Sequence, residues 1–254
     1  MKKELWGVKD GVEIYRYTLV NKNGMQATVS DFGATLLSLL VPDSTGKMRD
    51  VVLGYERMED YFDNPPYFGC NVLPCANHSG NDSTVKKMWN MDFFSEESIT
   101  FSIDADDKEM GMPGNRHFTI TYSLSPDNSL SIKYTALSDA DTVFNPTNHS
   151  YFNLDSAGEE DILEHILTID ADSFTYASSD SICTGRIVDV KNTPFDFRKP
   201  KKIGEDIDDE YDELIFAKGY DHNFCLNNSN GAAASLYSEA SGINMDIYTN
   251  MPGM

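Results

Sequence analysis

The string Asn145-Pro146-Thr147-Asn148-His149-Ser150-Tyr151-Phe152-Asn153-Leu154 gathers short, directional hydrogen-bonding groups around one imidazole. Pro146 fixes one backbone angle just ahead of it. If the chain is extended here, Thr147, His149 and Tyr151 share one face, and Asn148 and Ser150 the other. An imidazole so placed can donate to a hydroxyl or a ring oxygen, and it is the side chain most easily poised for proton transfer near neutrality. A histidine satisfied by structural hydrogen bonds is the competing reading.

A second cluster, Lys218-Gly219-Tyr220-Asp221-His222-Asn223-Phe224-Cys225, sets an anion beside an imidazole. Asp221 can accept from the hydroxyls of a sugar, a use that charge-assisted hydrogen bonds favour. Tyr220 and Phe224 either offer rings to an apolar sugar face or pack in a core. The bland alternative for the whole cluster is a structural turn. A third string, Cys75-Ala76-Asn77-His78-Ser79-Gly80-Asn81-Asp82, reads as a loop, and His78 is weak evidence by itself. His117 and His165 border alternating segments and read as solvated or structural. No pair of histidines has the spacing of a zinc-enzyme helix, so no metal is expected.

The elements that must hold these groups are strands. In His117-Phe118-Thr119-Ile120-Thr121-Tyr122-Ser123-Leu124 the large apolar residues fall on every second position. After Pro126-Asp127-Asn128 the pattern resumes at Leu130, Ile132 and Tyr134, which predicts a hairpin. Residues 25–41 are strand-rich, with Phe32-Gly33-Ala34 suited to a bulge or a close backbone contact. Ile243, Met245 and Ile247 alternate in a last strand. Helical signals are scarce: short turns or helices are expected around 58–62 and 206–213. The fold class predicted is all-β, a large antiparallel β-sandwich.

Composition narrows the partners. Twenty Lys and Arg face 41 Asp and Glu, a formal net charge of −21 in 254 residues. Such a surface repels phosphate backbones and anionic lipid, so neither nucleic acid nor membrane is expected. Lys86-Lys87 and Lys201-Lys202 are too short for a basic patch and read as solvated. Four cysteines, Cys70, Cys75, Cys183 and Cys225, lack zinc-type pairing and read as buried free thiols. The polar N-terminal residues predict no signal peptide, and a cytoplasmic location is expected.

These segments resemble the galactose mutarotase, or aldose 1-epimerase, family. The resemblance runs through Asp31-Phe32-Gly33-Ala34-Thr35-Leu36, Asp50-Val51-Val52-Leu53-Gly54-Tyr55, Tyr67-Phe68-Gly69 and Met112-Pro113-Gly114-Asn115. It continues through Thr184-Gly185 and Thr193-Pro194-Phe195-Asp196-Phe197-Arg198. The most specific strings are Asn148-His149-Ser150-Tyr151-Phe152-Asn153-Leu154 and Gly219-Tyr220-Asp221-His222-Asn223-Phe224.

The resemblance implies a β-supersandwich with an open sugar cleft and a cofactor-free reaction on a free aldose, most often galactose. It implies that His149 is the general acid that protonates the pyranose ring oxygen. Asp221, His78 and Asn77 would bind the sugar. The expected unit is a single domain over 1–254, missing an internal segment at 77/78 and a C-terminal segment. The family's sugar-binding arginine and catalytic glutamate accordingly match no residue here. The resemblance leaves open galactose against glucose, and a monomer or a homodimer. Two alternatives stand beside it: an epimerase for a related or phosphorylated hexose, and a carbohydrate-binding protein impaired in turnover.

Overall fold

The computed structural model describes residues 2–63, 67–73, 84–179, 182–227 and 229–254. The chain divides into two compact units, Met1–Gly158 and Glu159–Met254.

In the first unit, β1 (Lys2–Lys9), β2 (Val12–Val20), β3 (Gln26–Ser30), β4 (Leu36–Pro42) and β5 (Met48–Asp50) form one antiparallel sheet in sequence order. A single helical turn, α1 (Asp60–Asp63), follows, near the expected position. The short strand β6 (Asn71–Val72) comes next, and then β7 (Asn90–Phe94), β8 (Ser98–Ala105), β9 (Arg116–Leu124) and β10 (Leu130–Ser138). The last four form a second sheet in the order β10-β9-β8-β7. The strand β11 (Thr147–Asn148) returns to pair antiparallel with β6.

The β9–β10 hairpin shows why period two works. Phe118, Ile120, Tyr122 and Leu124 are buried while the residues between them are not. The register sets Leu124 opposite Leu130 and Ile120 opposite Tyr134. Asn128, at φ 64°, supplies the left-handed residue of the turn. Between β3 and β4, Gly33 lies at φ 67°, and its N–H donates to the Lys87 carbonyl at 2.8 Å. A Cβ there would stand 2.6 Å from the Val85 carbonyl oxygen, so this is the close backbone contact that the glycine signals.

The second unit carries β12 (Ile166–Ile169), β13 (Ala171–Ala177), β14 (Cys183–Asp189), β15 (Lys201–Lys202), the helix α2 (Asp212–Ala217), β16 (Phe224–Leu226), β17 (Ala234–Tyr237) and β18 (Asn244–Ile247). They sort into the sheets β15-β12-β17-β18 and β14-β13-β16. Its core is aromatic: Phe174 and Phe195 stack with ring centres 4.4 Å apart, with Phe197, Phe224 and Leu214 around them. Each such fully buried side chain contributes about 1.5–3 kcal/mol relative to an exposed one.

The described strands thus form four blade-like antiparallel sheets of three to five strands, plus the β6–β11 ladder, in place of the large antiparallel β-sandwich expected. Alternation reports that a strand has one buried face, not which strands share a sheet. Here most ladders close between strands that are neighbours in sequence, so each sheet stays narrow. Two smaller expectations also change. Cys183 is exposed, because β14 lies at the edge of its sheet, whereas Cys70 is buried as expected. Lys201 is not solvated: its ammonium donates to the Pro194 carbonyl and pairs with Asp206 at 2.8 Å.

Candidate active site

His149 directly follows β11, and its backbone is bonded on both sides. Its N–H donates to the Cys70 carbonyl at 2.9 Å, and its carbonyl accepts from Gly69 N–H at 3.1 Å. The residues beyond are stitched to a different part of the chain. Leu53 N–H donates to the Tyr151 carbonyl, and Asn153 N–H to the Val51 carbonyl. The imidazole is half-buried, with the Tyr151 ring 5.0 Å and the Tyr67 ring 5.5 Å away. His149 and Tyr151 therefore share a face, as extended backbone requires.

The opposite face is a buried polar network. Asn71 is fully buried, and its amide donates to the Ala34 carbonyl at 2.6 Å and to Tyr122 Oη at 2.7 Å. Its Oδ1 accepts from Tyr134 Oη at 2.6 Å and from Asn148 Nδ2 at 3.2 Å. Ser150 Oγ donates to Asn148 Oδ1 at 2.7 Å. All four hydrogen-bonding positions of the Asn71 amide are used, so a polar group in the core carries little penalty and fixes one arrangement. This network anchors β11, which directly precedes His149, through Asn148.

Asp221 lies in the second unit, on the turn between α2 and β16, with its side chain exposed. Its N–H donates to His222 Nδ1 at 3.2 Å. On one side Tyr220 Oη donates to the Pro194 carbonyl at 3.1 Å. On the other, Asn223 Nδ2 donates to Thr175 Oγ1 at 2.9 Å. Tyr220 packs on Phe195 and Phe197, and Phe224 is buried, so both rings serve the core rather than a ligand. Asn77 and His78 lie outside the described residues. His117 pairs with Asp104 at 2.7 Å on the surface, and His165 is buried, in keeping with the bland reading of each. Among the described residues no group of three or more His, Cys, Asp or Glu is placed to hold a metal ion, and no helix is long and apolar enough to cross a membrane.

The sequence pattern of the Aldose 1-epimerase family matches residues 15–92 and 77–254. The chain belongs to the aldose 1-epimerase family. Its members are cofactor-independent isomerases that act on hexose sugars. The aldose 1-epimerase of Haemophilus influenzae is 30% identical over 280 positions, covering 100% of this chain and 81% of that protein. The galactose mutarotase of Rattus norvegicus is 33% identical over 257 positions, covering 91% of this chain and 73% of the relative. Among solved structures, the galactose 1-epimerase of Lactobacillus acidophilus superposes with a TM-score of 0.84 at 26% identity, over 99% of this chain and 80% of that one. An aldose epimerase homologue from C. elegans gives 0.82 at 27%, over 94% and 79%. The two stretches of the family match meet around residues 77–92, where the sequence sets Asn77 directly against His78.

Sequence reasoning on this aldose 1-epimerase chain missed Asn71, Tyr134 and Glu213. Asn71 and Tyr134 stand behind His149, and Glu213 lies beneath the Asp221 turn. Asn71 and Tyr134 carry no local signal, since Asn71 meets Tyr134 across 63 residues and Asn148 across 77.

Proposed function

We propose that this protein interconverts the α and β anomers of a free hexose, with D-galactose the preferred substrate and D-glucose the second. Opening a pyranose requires a proton on the ring oxygen and loss of the C1 hydroxyl proton, after which the C1–O5 bond breaks to give the aldehyde. Rotation about C1–C2 turns the carbonyl to its other face, and closure returns both protons. In this reading His149, as imidazolium, protonates the ring oxygen and recovers the proton on closure. The C1 proton goes to a base for which no residue of this chain is assigned. A well-placed acid of this kind contributes roughly 100- to 10,000-fold.

Asp221 accepts from sugar hydroxyls, and Asn77 and His78 add further contacts to the sugar. Such groups hold the pyranose so that proton transfer is aligned. The observation that carries the proposal is His149 itself: a half-exposed imidazole between the rings of Tyr67 and Tyr151, on backbone bonded to Gly69 and Cys70. The relatives named as aldose 1-epimerases and galactose mutarotases support it.

Anomer exchange followed by NMR on D-galactose, D-glucose and a hexose 6-phosphate tests the substrate. Exchange is expected to be fastest for galactose and slowest for the phosphate, which the net charge of −21 disfavours. Fastest exchange for the phosphate would overturn the assignment to free sugars.

A further inference from the structure

Beneath the Asp221 turn lies a pair of polar side chains that the chemistry above does not use. The side chains of His222 and Glu213 are each only 1% exposed, and His222 Nε2 stands 3.2 Å from Glu213 Oε2 without the alignment of a hydrogen bond. Both are set in the aromatic core of the second unit. The Phe195 ring meets the imidazole at 4.5 Å and 71°, and Phe174 at 5.6 Å and 90°. Two polar groups in such surroundings are costly unless they serve each other or a neighbour.

What they serve is on the other side of the imidazole. Nδ1 accepts from Asp221 N–H, so in the neutral ring the proton sits on Nε2, directed to the Glu213 side. Burial holds the imidazole below its usual pKa, with Asp221 opposing, and holds the Glu213 carboxyl above its usual range, with Arg186 opposing. The neutral imidazole is thus the favoured form, and only that form leaves Nδ1 free to accept. The helix is tied to the same turn, because Lys218 and Gly219 N–H groups both donate to the Leu214 carbonyl.

We propose that His222 is a positioning residue for Asp221, its Nδ1 fixing the Asp221 backbone while Glu213 holds the other edge of the ring. The inference rests on the sugar-binding role proposed above for Asp221. It adds that this role depends on an imidazole that touches no sugar.

Isothermal titration calorimetry of D-galactose into the full chain tests it with four variants. Asp221→Ala reports on the sugar role alone. His222→Asn keeps an acceptor near the Nδ1 position, whereas His222→Gln moves the polar group toward the Nε2 position and His222→Leu removes it. The dissociation constant is expected to rise about tenfold for Asp221→Ala and about fivefold for His222→Gln and His222→Leu, and to stay within about twofold of the parent for His222→Asn. Asn and Gln are similar in polarity, so their order survives even if the leucine variant does not fold. Equal binding by parent, Asn and Gln variants, with Asp221→Ala weakened, overturns the positioning role and leaves the sugar role standing. Unchanged binding in Asp221→Ala overturns both.

Discussion

Gly69 N–H donates to the carbonyl of His149, and the carbonyl of Gly69 accepts from Leu36 N–H at 2.9 Å and Asn148 Nδ2 at 3.3 Å. One glycine therefore ties the strand of the candidate acid to β4. It does so at φ 65°, where a Cβ would stand 1.8 Å from the Leu36 carbonyl oxygen. Gly69→Ala adds backbone strain to this clash and is expected to destabilise the first unit by at least about 2 kcal/mol. Urea unfolding measures the loss, and a change within about 0.5 kcal/mol would contradict the packing described.

Tyr134 tests the network behind His149. Tyr134→Phe removes one of the two donors to Asn71 Oδ1 and leaves Asn148 as the other. The expected cost is about 1 kcal/mol. Asn71→Ala removes the hub and takes the acceptor from Tyr134 Oη, while Asn148 Nδ2 keeps the Gly69 carbonyl, for an expected loss of roughly 2–4 kcal/mol. The two substitutions combined should cost less than the sum of their separate effects, because they share one network. Strict additivity in thermal melts would show that the two side chains act independently.

Asp31 gives a pH-dependent stability with a definite sign. It is 6% exposed, and burial raises its carboxyl from 3.8 to about 6 although Tyr15 N–H donates to it at 2.8 Å and Tyr17 Oη at 3.3 Å. The folded state thus binds this proton more tightly than the unfolded chain does. Its contribution is complete below the unfolded value and is lost as pH rises through about 6. Asp31→Asn should flatten this part of the stability profile between the two values by an amount on the order of 3 kcal/mol. Parallel profiles for parent and variant over that window would contradict the assignment.

What the sequence made legible was local. The β9–β10 hairpin could be read because alternation and its turn residues lie within one stretch of chain, and β9 buries the alternating residues that the pattern selects. Likewise the Asn-His-Ser-Tyr-Phe-Asn-Leu string marks His149 as a candidate because its polar groups lie within one short stretch. The grouping of strands into four narrow sheets was not legible, since a strand in a sandwich and one in a blade bury the same alternate residues. Asn71 gave no sign because its partners are brought to it by the fold. Glu213 ends the acidic stretch 206–213, expected only as a short turn or helix, yet the helix begins at Asp212 and turns that carboxyl into the aromatic core. Cys183 misled in the opposite sense, as an apolar side chain on an exposed edge strand.

In the proposed reaction His149 moves the proton to and from the ring oxygen. Polarimetry of freshly dissolved α-D-galactose, with the parent chain and with His149→Ala, tests it most directly. The parent is expected to speed relaxation to the anomeric equilibrium, and the variant, still folded by circular dichroism, to lose that acceleration by roughly 100-fold or more. Relaxation as fast with the alanine variant as with the parent would contradict the role of His149.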